Sequence, residues 1–326
     1  MPRLQLSKGY GGSANQVIKV APEMNYLIVG DEAIMMSKYY PTWVAKPIRS
    51  KIPVIAVGSA IIGGSGKTPS VIYVCKILEK MGHRPHIISK GYGGSANQVI
   101  KVAPEMNYLI VGDEAIMMSK YYPTWVSKKK YNAFSFAEKE GANVIVLDDA
   151  LQSYNIYKNL SIYVYDSIQS FGNRLIIPSG PLREPIGIVL KRSQIVFLVN
   201  TNNCPEITED QFQQNINFKI SIKPEIRDKK VMPFAGLGFN KKFFDQLYNE
   251  GLNITVTKEF PDHHHYTKDD MFNLLDEANK HDSFLVTTEK DHIRIPKEFK
   301  SSVGIIYGEM VSNNQTDLVS EIEKYI

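Results

Sequence analysis

Ile52-Pro-Val-Ile-Ala-Val-Gly-Ser-Ala-Ile-Ile-Gly-Gly-Ser-Gly-Lys-Thr68 decides the fold. It opens as a short apolar run closed by Gly58, and Val71 to Met81 beyond it repeats apolar residues at helical spacing. The stretch therefore predicts strand, glycine-rich loop, helix. In that setting Gly63, Gly64, Ser65, Gly66, Lys67 and Thr68 read as a phosphate-binding loop. Glycines let backbone N–H groups approach phosphate oxygens, and the helix N-terminus adds partial positive charge. The lysine reaches the terminal phosphates and the threonine hydroxyl holds Mg²⁺. The usual pattern asks for a further glycine where Ile61 stands.

Working outward, His86 to Ser89, Ala142 to Leu147, Leu160 to Tyr165 and Gln194 to Val199 are further short apolar runs, with a helical segment such as Phe134 to Gly141 between them. Runs buried on both faces and separated by helices indicate a mostly parallel sheet covered by helices. The fold class is α/β of the phosphate-loop NTPase kind, with a smaller C-terminal α/β domain. After Asn200 the pattern changes. Thr201 to Pro205 reads as a loop, Phe218 to Ile222 as an alternating strand, Asn240 to Glu250 as a helix and Ile254 to Val256 as a strand. Thr267 caps an amphipathic helix to Asn279, and a strand from Ser283 to Thr287 leads into a Glu289-Lys290-Asp291 turn. The expected division is residues 1–45 as an extension, 46–205 as the phosphate-loop domain and 206–326 as the smaller domain.

The extension is defined by a repeat. Ser7–Val44 and Ser89–Val126 are identical, residue for residue, and nothing repeats a third time. Stacked-repeat folds need about three or more units, so the pair reads as a duplication, with the second copy native because it runs on from the phosphate loop toward Asp149. The first copy carries Tyr10, Asp31 and Glu32, counterparts of Tyr92, Asp113 and Glu114, with no phosphate loop before them. It is expected to be inert, and its Tyr26 to Val29 to compete with Tyr108 to Val111 for one strand position.

Composition narrows the class. Among 326 residues, 43% are hydrophobic and 22% charged, which argues against a disordered or collagen-like chain. Cys75 and Cys204 are the sole cysteines, so a disulfide scaffold is excluded and a reducing compartment fits. Thirty-eight basic against 34 acidic residues give a net charge of +4, too even to imply nucleic-acid binding. No run of about 18 apolar residues suggests a membrane span, and Met1 to Tyr10 lacks a signal-peptide core.

Three further clusters bear chemistry. Asp148-Asp149 closes an apolar strand, where a carboxylate that binds Mg²⁺ opposite a phosphate loop belongs. Asp262-His263-His264-His265-Tyr266 offers imidazoles for acid–base work, although three consecutive histidines do not converge on one metal. Gly180-Pro-Leu-Arg183-Glu184-Pro185 sets a cation suited to phosphate beside a carboxylate suited to Mg²⁺. A structural surface ion pair is an equal reading of that last motif.

Taken together the motifs resemble the tetraacyldisaccharide 4'-kinases, the lipid A 4'-kinases of Gram-negative bacteria. The resemblance covers roughly Lys46 to Arg294. It rests on the phosphate loop, Ser89-Lys-Gly-Tyr-Gly-Gly94, Gly112-Asp-Glu114, Asp148-Asp-Ala-Leu-Gln152, Phe171-Gly-Asn173 with Pro178 to Pro185, Phe234-Ala-Gly-Leu-Gly238, Phe260 to His264 with Tyr266, and Val286-Thr-Thr-Glu-Lys-Asp291. It implies transfer of the ATP γ-phosphate to the 4'-hydroxyl of a tetraacyl disaccharide 1-phosphate at the cytoplasmic face of the inner membrane. ATP and Mg²⁺ are the implied cofactors and an acylated disaccharide lipid the implied partner, with neither nucleic acid nor an obligate protein partner. Lys67 and Thr68 would then hold phosphates and Mg²⁺, with Asp148, Asp149 and Glu184 near the metal. Asp113 and His263 would form the dyad that accepts the hydroxyl proton, Arg183 would steady the transferring phosphoryl group, and Tyr92 would touch phosphate or substrate.

The chain departs from the family pattern at Ser59, Ile61, Lys90, Ala115, Ala150, Ser153, Lys158-Asn159 and Arg174. Lys90 keeps the charge of the family's arginine but loses its bidentate fork. The duplicated segment occupies the place of the family's hydrophobic anchoring helix. Two other functions share these motifs: a nucleotide-binding relic that phosphorylates nothing, and a phosphate-loop ATPase coupled to a protein partner.

Overall fold

The computed structural model describes residues 47–201, 204, 206–207, 211–312 and 314–326, together with the backbone of three short strands before them. Two compact units result. Met1–Lys51 groups with Gln152–Lys158, and Ile52–Leu151 groups with Asn159–Ile326.

In the first unit, strands β1 (Gln5–Ser7), β2 (Ile18–Val20) and β3 (Thr42–Val44) form a sheet of order β1-β3-β2. Its register, Ser7 opposite Val44 and Ile18 opposite Val44, repeats that of the second copy, where Ser89 and Ile100 lie opposite Val126. Identical residues thus choose identical pairings twice. Tyr10, Asp31, Glu32 and Tyr26 to Val29 lie outside the described residues. Ile48 bridges Ile156 in the same unit, and the Arg49 guanidinium stands 3.6 Å over the Tyr157 ring.

The second unit is built on one open sheet of thirteen strands. They are β4 (Val54–Gly58), β5 (Pro85–Ser89), β6 (Ile100–Val102), β7 (Thr124–Val126), β8 (Val144–Asp148), β9 (Leu160–Asp166), β10 (Ile195–Val199), β11 (Phe212–Ser221), β12 (Lys230–Ala235), β13 (Asn253–Ile254), β14 (Lys258–Glu259), β15 (Phe284–Thr288) and β16 (Gly304–Val311). The order is β13-β12-β15-β16-β11-β10-β9-β4-β8-β5-β7-β6, with β14 beside β12. Every pairing is parallel except β6 with β7 and β11 with β16. All five residues of β4 are buried, as a strand covered on both faces requires.

Helix α1 (Lys67–Lys80) supplies one cover. Val71, Val74, Cys75 and Leu78 recur at helical spacing and are fully buried against Ile55, Val57 and Val146 of the sheet. The C-terminal half has its own cores, one centred on Phe234, Tyr266 and Leu274, another on Val231, Phe244 and Leu247. Strand β11 joins the halves: Ile216 lies opposite Val199 of β10, and the next five residues turn to antiparallel pairing with β16. The alternating run expected over Phe218 to Ile222 is thus the far end of a longer strand.

Two expectations are corrected. Tyr108–Val111 is a turn of helix rather than a strand, because the Asn107 side chain accepts from Leu109 N–H at 2.9 Å and Gly112 ends it. Glu289–Arg294 is helical rather than a turn, because Thr288 caps it by accepting from Asp291 N–H.

Candidate active site

The phosphate loop sits between β4 and α1. Gly63 and Gly66 take the left-handed backbone, φ 100° and 74°, which glycine adopts at little cost. Lys67 Nζ donates to Gly63 O at 3.0 Å and reaches Ser65 Oγ at 3.3 Å, folding the ammonium over the loop. Gly63 through Thr68 line a cavity of about 650 Å³, together with Tyr92, Asp148, Asp149, Arg183 and His263.

Strand β8 brings the paired aspartates beside the loop, since Asp148 lies opposite Val57 of β4. Asp148 accepts from Ser89 Oγ at 2.9 Å. Burial, reinforced by the nearby Glu114 carboxylate, pushes its carboxyl up to about 6. Asp149 adopts φ 45°, and its Oδ2 accepts from Arg183 Nη1 at 2.7 Å. Burial would raise the Asp149 carboxyl, but Lys67, Arg183 and Lys130 outweigh it and hold the group below the usual range. Asp149 Oδ1 is buried with no hydrogen-bond partner among the described residues. An orphaned carboxylate oxygen on a residue that lines the same cavity as Thr68 fits a small hard cation such as Mg²⁺. Among the described residues no three His, Cys, Asp or Glu side chains converge as a metal cage. Mg²⁺ suits that arrangement, since it keeps waters and takes substrate phosphates for its remaining positions.

The third element is the loop from Phe260 to Tyr266. His263, at φ 58°, approaches Asp113 Oδ2 with its Nδ1 at 3.0 Å, although the two are far apart in sequence. Asp113 opens helix α2 (Asp113–Ser119) behind Gly112, where a Cβ would stand 2.5 Å from Tyr92 O, so only glycine lets the chains cross. The Tyr92 ring lies 5.3 Å from that of His263. Burial would raise the Asp113 carboxyl, but the His263 hydrogen bond and the charges of Lys290 and Arg294 hold it below the ordinary range. His264 Nε2 instead pairs with Asp270 Oδ2 at 3.1 Å, and His265 Nδ1 meets Tyr108 Oη. Of the three imidazoles, His263 is the one that lines the cavity.

The fold and these contacts can be set beside known proteins. The family model described as "LpxK: Tetraacyldisaccharide-1-P 4'-kinase" matches residues 38–326. The chain belongs to the tetraacyldisaccharide-1-P 4'-kinase family. A tetraacyldisaccharide 4'-kinase of Paramagnetospirillum magneticum is 34% identical over 273 residues, 80% of this chain and 82% of that one. Its counterpart in Rickettsia akari is 34% identical over 280 residues, 85% and 86% of the two chains. The crystal structure of LpxK from Aquifex aeolicus, in complex with ATP, has a TM-score of 0.71 at 23% identity, covering 86% of this chain and 90% of that one. That likeness shows the same α/β fold.

Within this tetraacyldisaccharide 4'-kinase chain, the sequence-read residues do not all converge. Gly63 to Thr68, Tyr92, Asp148, Asp149, Arg183 and His263 share the cavity wall, and Asp113 stands behind His263. Glu184 does not join them: it is buried and ion-paired with Arg192 at 2.7 Å, while Arg183 pairs with Asp149, so the two neighbours form separate bridges. Three cations were not singled out from sequence. Lys130, last of a lysine run that reads as solvated, is buried and donates to the carbonyls of Asp148 and Asp149. Lys290 Nζ lies 3.3 Å from both His263 Nε2 and Glu114 and 3.6 Å from Asp262. Burial would lower its ammonium, but Glu114, Asp113 and Asp262 overcome this and keep it charged. Arg294, its side chain 1% exposed, sits between Asp291 and Asp113 and donates to the carbonyls of His264 and Gly236.

Proposed function

We propose that this chain transfers the γ-phosphate of ATP to the 4'-hydroxyl of a tetraacyldisaccharide 1-phosphate. The observation that carries the reading is the Asp113–His263 contact of 3.0 Å, with His263 on the same cavity wall as Lys67 and Thr68. A base and a phosphate loop facing one space are what phosphoryl transfer to an alcohol needs, since the chemistry asks mainly for alignment and charge neutralisation.

The loop amides and Lys67 bind the ATP phosphates. Thr68 and Asp149, with Asp148 behind, are the residues that would hold Mg²⁺, which shields phosphate charge and orients the γ-phosphoryl group when bound. Asp113 receives the Nδ1–H of His263 and so fixes the ring with Nε2 facing the cavity. In this state Nε2 faces the Lys290 ammonium, held by Glu114 and Asp262. The acceptor hydroxyl takes that place beside Nε2, gives its proton to it, and its oxygen attacks the γ-phosphorus as ADP leaves. Arg183 has donors beyond the one spent on Asp149, and these steady the charge on the transferring oxygens. The acceptor is a lipid, and among the described residues no helix is long and apolar enough to cross a membrane. The reading places the chain at the cytoplasmic face of the inner membrane, where an acylated acceptor and ATP meet.

ADP release with and without tetraacyldisaccharide 1-phosphate in detergent micelles tests the proposal. Strict dependence on the lipid is expected. Release that ignores the lipid would mark an ATPase, and ATP binding without release under either condition would mark an inactive relic.

A further inference from the structure

Ile168, Leu175, Ile176 and Ile177, with Ile62 beside them, are each between 44% and 53% exposed. Four of the five lie in the single loop between β9 and Glu184. That loop is not slack. Ile177 N–H donates to Leu182 O at 2.9 Å, Leu182 N–H to Leu175 O at 3.1 Å and Ser179 N–H to Ile176 O at 3.0 Å. The Asn173 side chain clamps both limbs, accepting from Leu175 N–H at 3.1 Å and donating to Ser179 O at 2.8 Å. At Gly180 a Cβ would stand 2.1 Å from Asn173 Oδ1, so the clamp needs glycine there. Phe171 and Leu182 are buried as its anchors. The loop is thus an ordered finger that holds its aliphatic side chains out in water, where they gain nothing for the fold.

The finger is fastened to the phosphate loop. Ile62 N–H donates to Pro181 O at 3.0 Å, Arg183 N–H donates to Ala60 O at 2.7 Å, and Ile61 bridges Leu182. Ile62 itself lines the catalytic cavity. From Ser167 to Leu182 the chain carries Arg174 and no aspartate or glutamate. Arg174 is bridged to Glu206 yet its side chain remains 65% exposed.

We propose that this finger is the surface that docks the chain on an anionic lipid bilayer, its aliphatic tip entering the headgroup boundary beside the cavity mouth. The inference rests on the kinase reading, because an acylated acceptor keeps its chains in the bilayer while its sugar hydroxyl enters the cavity. Exposed aliphatic side chains with the exposed Arg174 beside them complement an anionic headgroup layer, where affinity follows apolar area buried plus electrostatic attraction. A protein partner or a second copy is the competing occupant.

The test is co-sedimentation of the full chain with vesicles of equal parts phosphatidylethanolamine and phosphatidylglycerol, comparing wild type with Leu175→Gln/Ile176→Gln/Ile177→Gln. These side chains stand outside the cavity wall, so ATP binding and turnover of detergent-dispersed acceptor should be unchanged. Partition should fall by about tenfold or more. Equal partition of the two proteins, or no binding by wild type, would overturn the proposal. So would a variant that keeps vesicle binding but changes oligomeric state. Should the triple variant not fold, Ile176→Trp with brominated lipids decides: quenching of the new tryptophan is expected, and its absence overturns the proposal. Failure of the kinase reading would appear separately, as no lipid-dependent ADP release by a chain whose vesicle binding still depends on the finger.

Discussion

Arg294→Met should unfasten the dyad from the C-terminal half. Arg294 is buried between two carboxylates, with Nη2 on Asp291 and Nε 3.3 Å from Asp113 Oδ2, and it donates to His264 O at 3.1 Å and Gly236 O at 2.9 Å. Methionine nearly fills the volume but leaves both carboxylates and two carbonyls without that partner. Breaking a buried ion pair by removing one member costs about 3–5 kcal/mol. The lower end applies, because Asp291 keeps donors from Tyr266, Gly236 and Thr288, and Asp113 keeps His263. About 3 kcal/mol corresponds to a fall in Tm of roughly 5 °C for a unit of this size. Urea unfolding read from the shift in midpoint at constant slope is the assay, with phosphate transfer measured alongside. Loss of the fastener lets the His263 loop drift, so transfer should fall at temperatures where ATP still binds. A variant within about 1 kcal/mol of wild type, with transfer intact, would refute the assignment of Arg294 as the tie between Asp291 and Asp113.

Asp148, raised to about 6 in the fold against about 3.9 unfolded, carries a proton that the unfolded chain has lost between those values. Without Mg²⁺, the Asp148 contribution to native stability therefore declines as pH rises from about 4 to about 6 and stays lower above. Asp148→Asn should remove that contribution and add on the order of 3 kcal/mol at neutral pH, read by urea midpoints across the range; an unaltered slope would contradict it. Lys130→Met should weaken ATP/Mg²⁺ binding by about tenfold to a hundredfold, because charged hydrogen bonds to the carbonyls of Asp148 and Asp149 are lost. Calorimetric titration checks this, and unchanged affinity would contradict it. Deleting Met1 to Val44 should leave ATP affinity within about twofold, because the phosphate loop and its covering helix lie in the Ile52–Leu151 and Asn159–Ile326 unit. Loss of binding in a folded truncation would show that the duplicated segment supports the site.

What sequence revealed and what it missed divides by range. The phosphate loop is local chemistry: an apolar strand, glycines and Lys67-Thr68 within one turn, and β4, the loop and α1 form as read. Asp148-Asp149 was legible for the same reason, as a strand end. The Asp113–His263 pair was not, because no local spacing joins residues so far apart; resemblance to the family supplied it and the contact now stands at 3.0 Å. Lys130 ends a charged run that mimics a solvated face, and only the fold buries it beneath the aspartate carbonyls. Tyr108–Val111 is apolar and β-branched enough to suggest a strand, but Asn107 and Gly112 at its ends impose a helical turn. Glu184 beside Arg183 suggested a shared phosphate and metal role, whereas Arg192, beyond the reach of that motif, claims the carboxylate.

Transfer of labelled γ-phosphate from ATP/Mg²⁺ to tetraacyldisaccharide 1-phosphate in micelles, by wild type and by Asp113→Ala, tests the account most directly. Labelled lipid from wild type, and its loss in a variant that still binds ATP, is the predicted result. Equal transfer by the two proteins would contradict the dyad, and no transfer by a folded wild type that binds ATP would contradict the kinase itself.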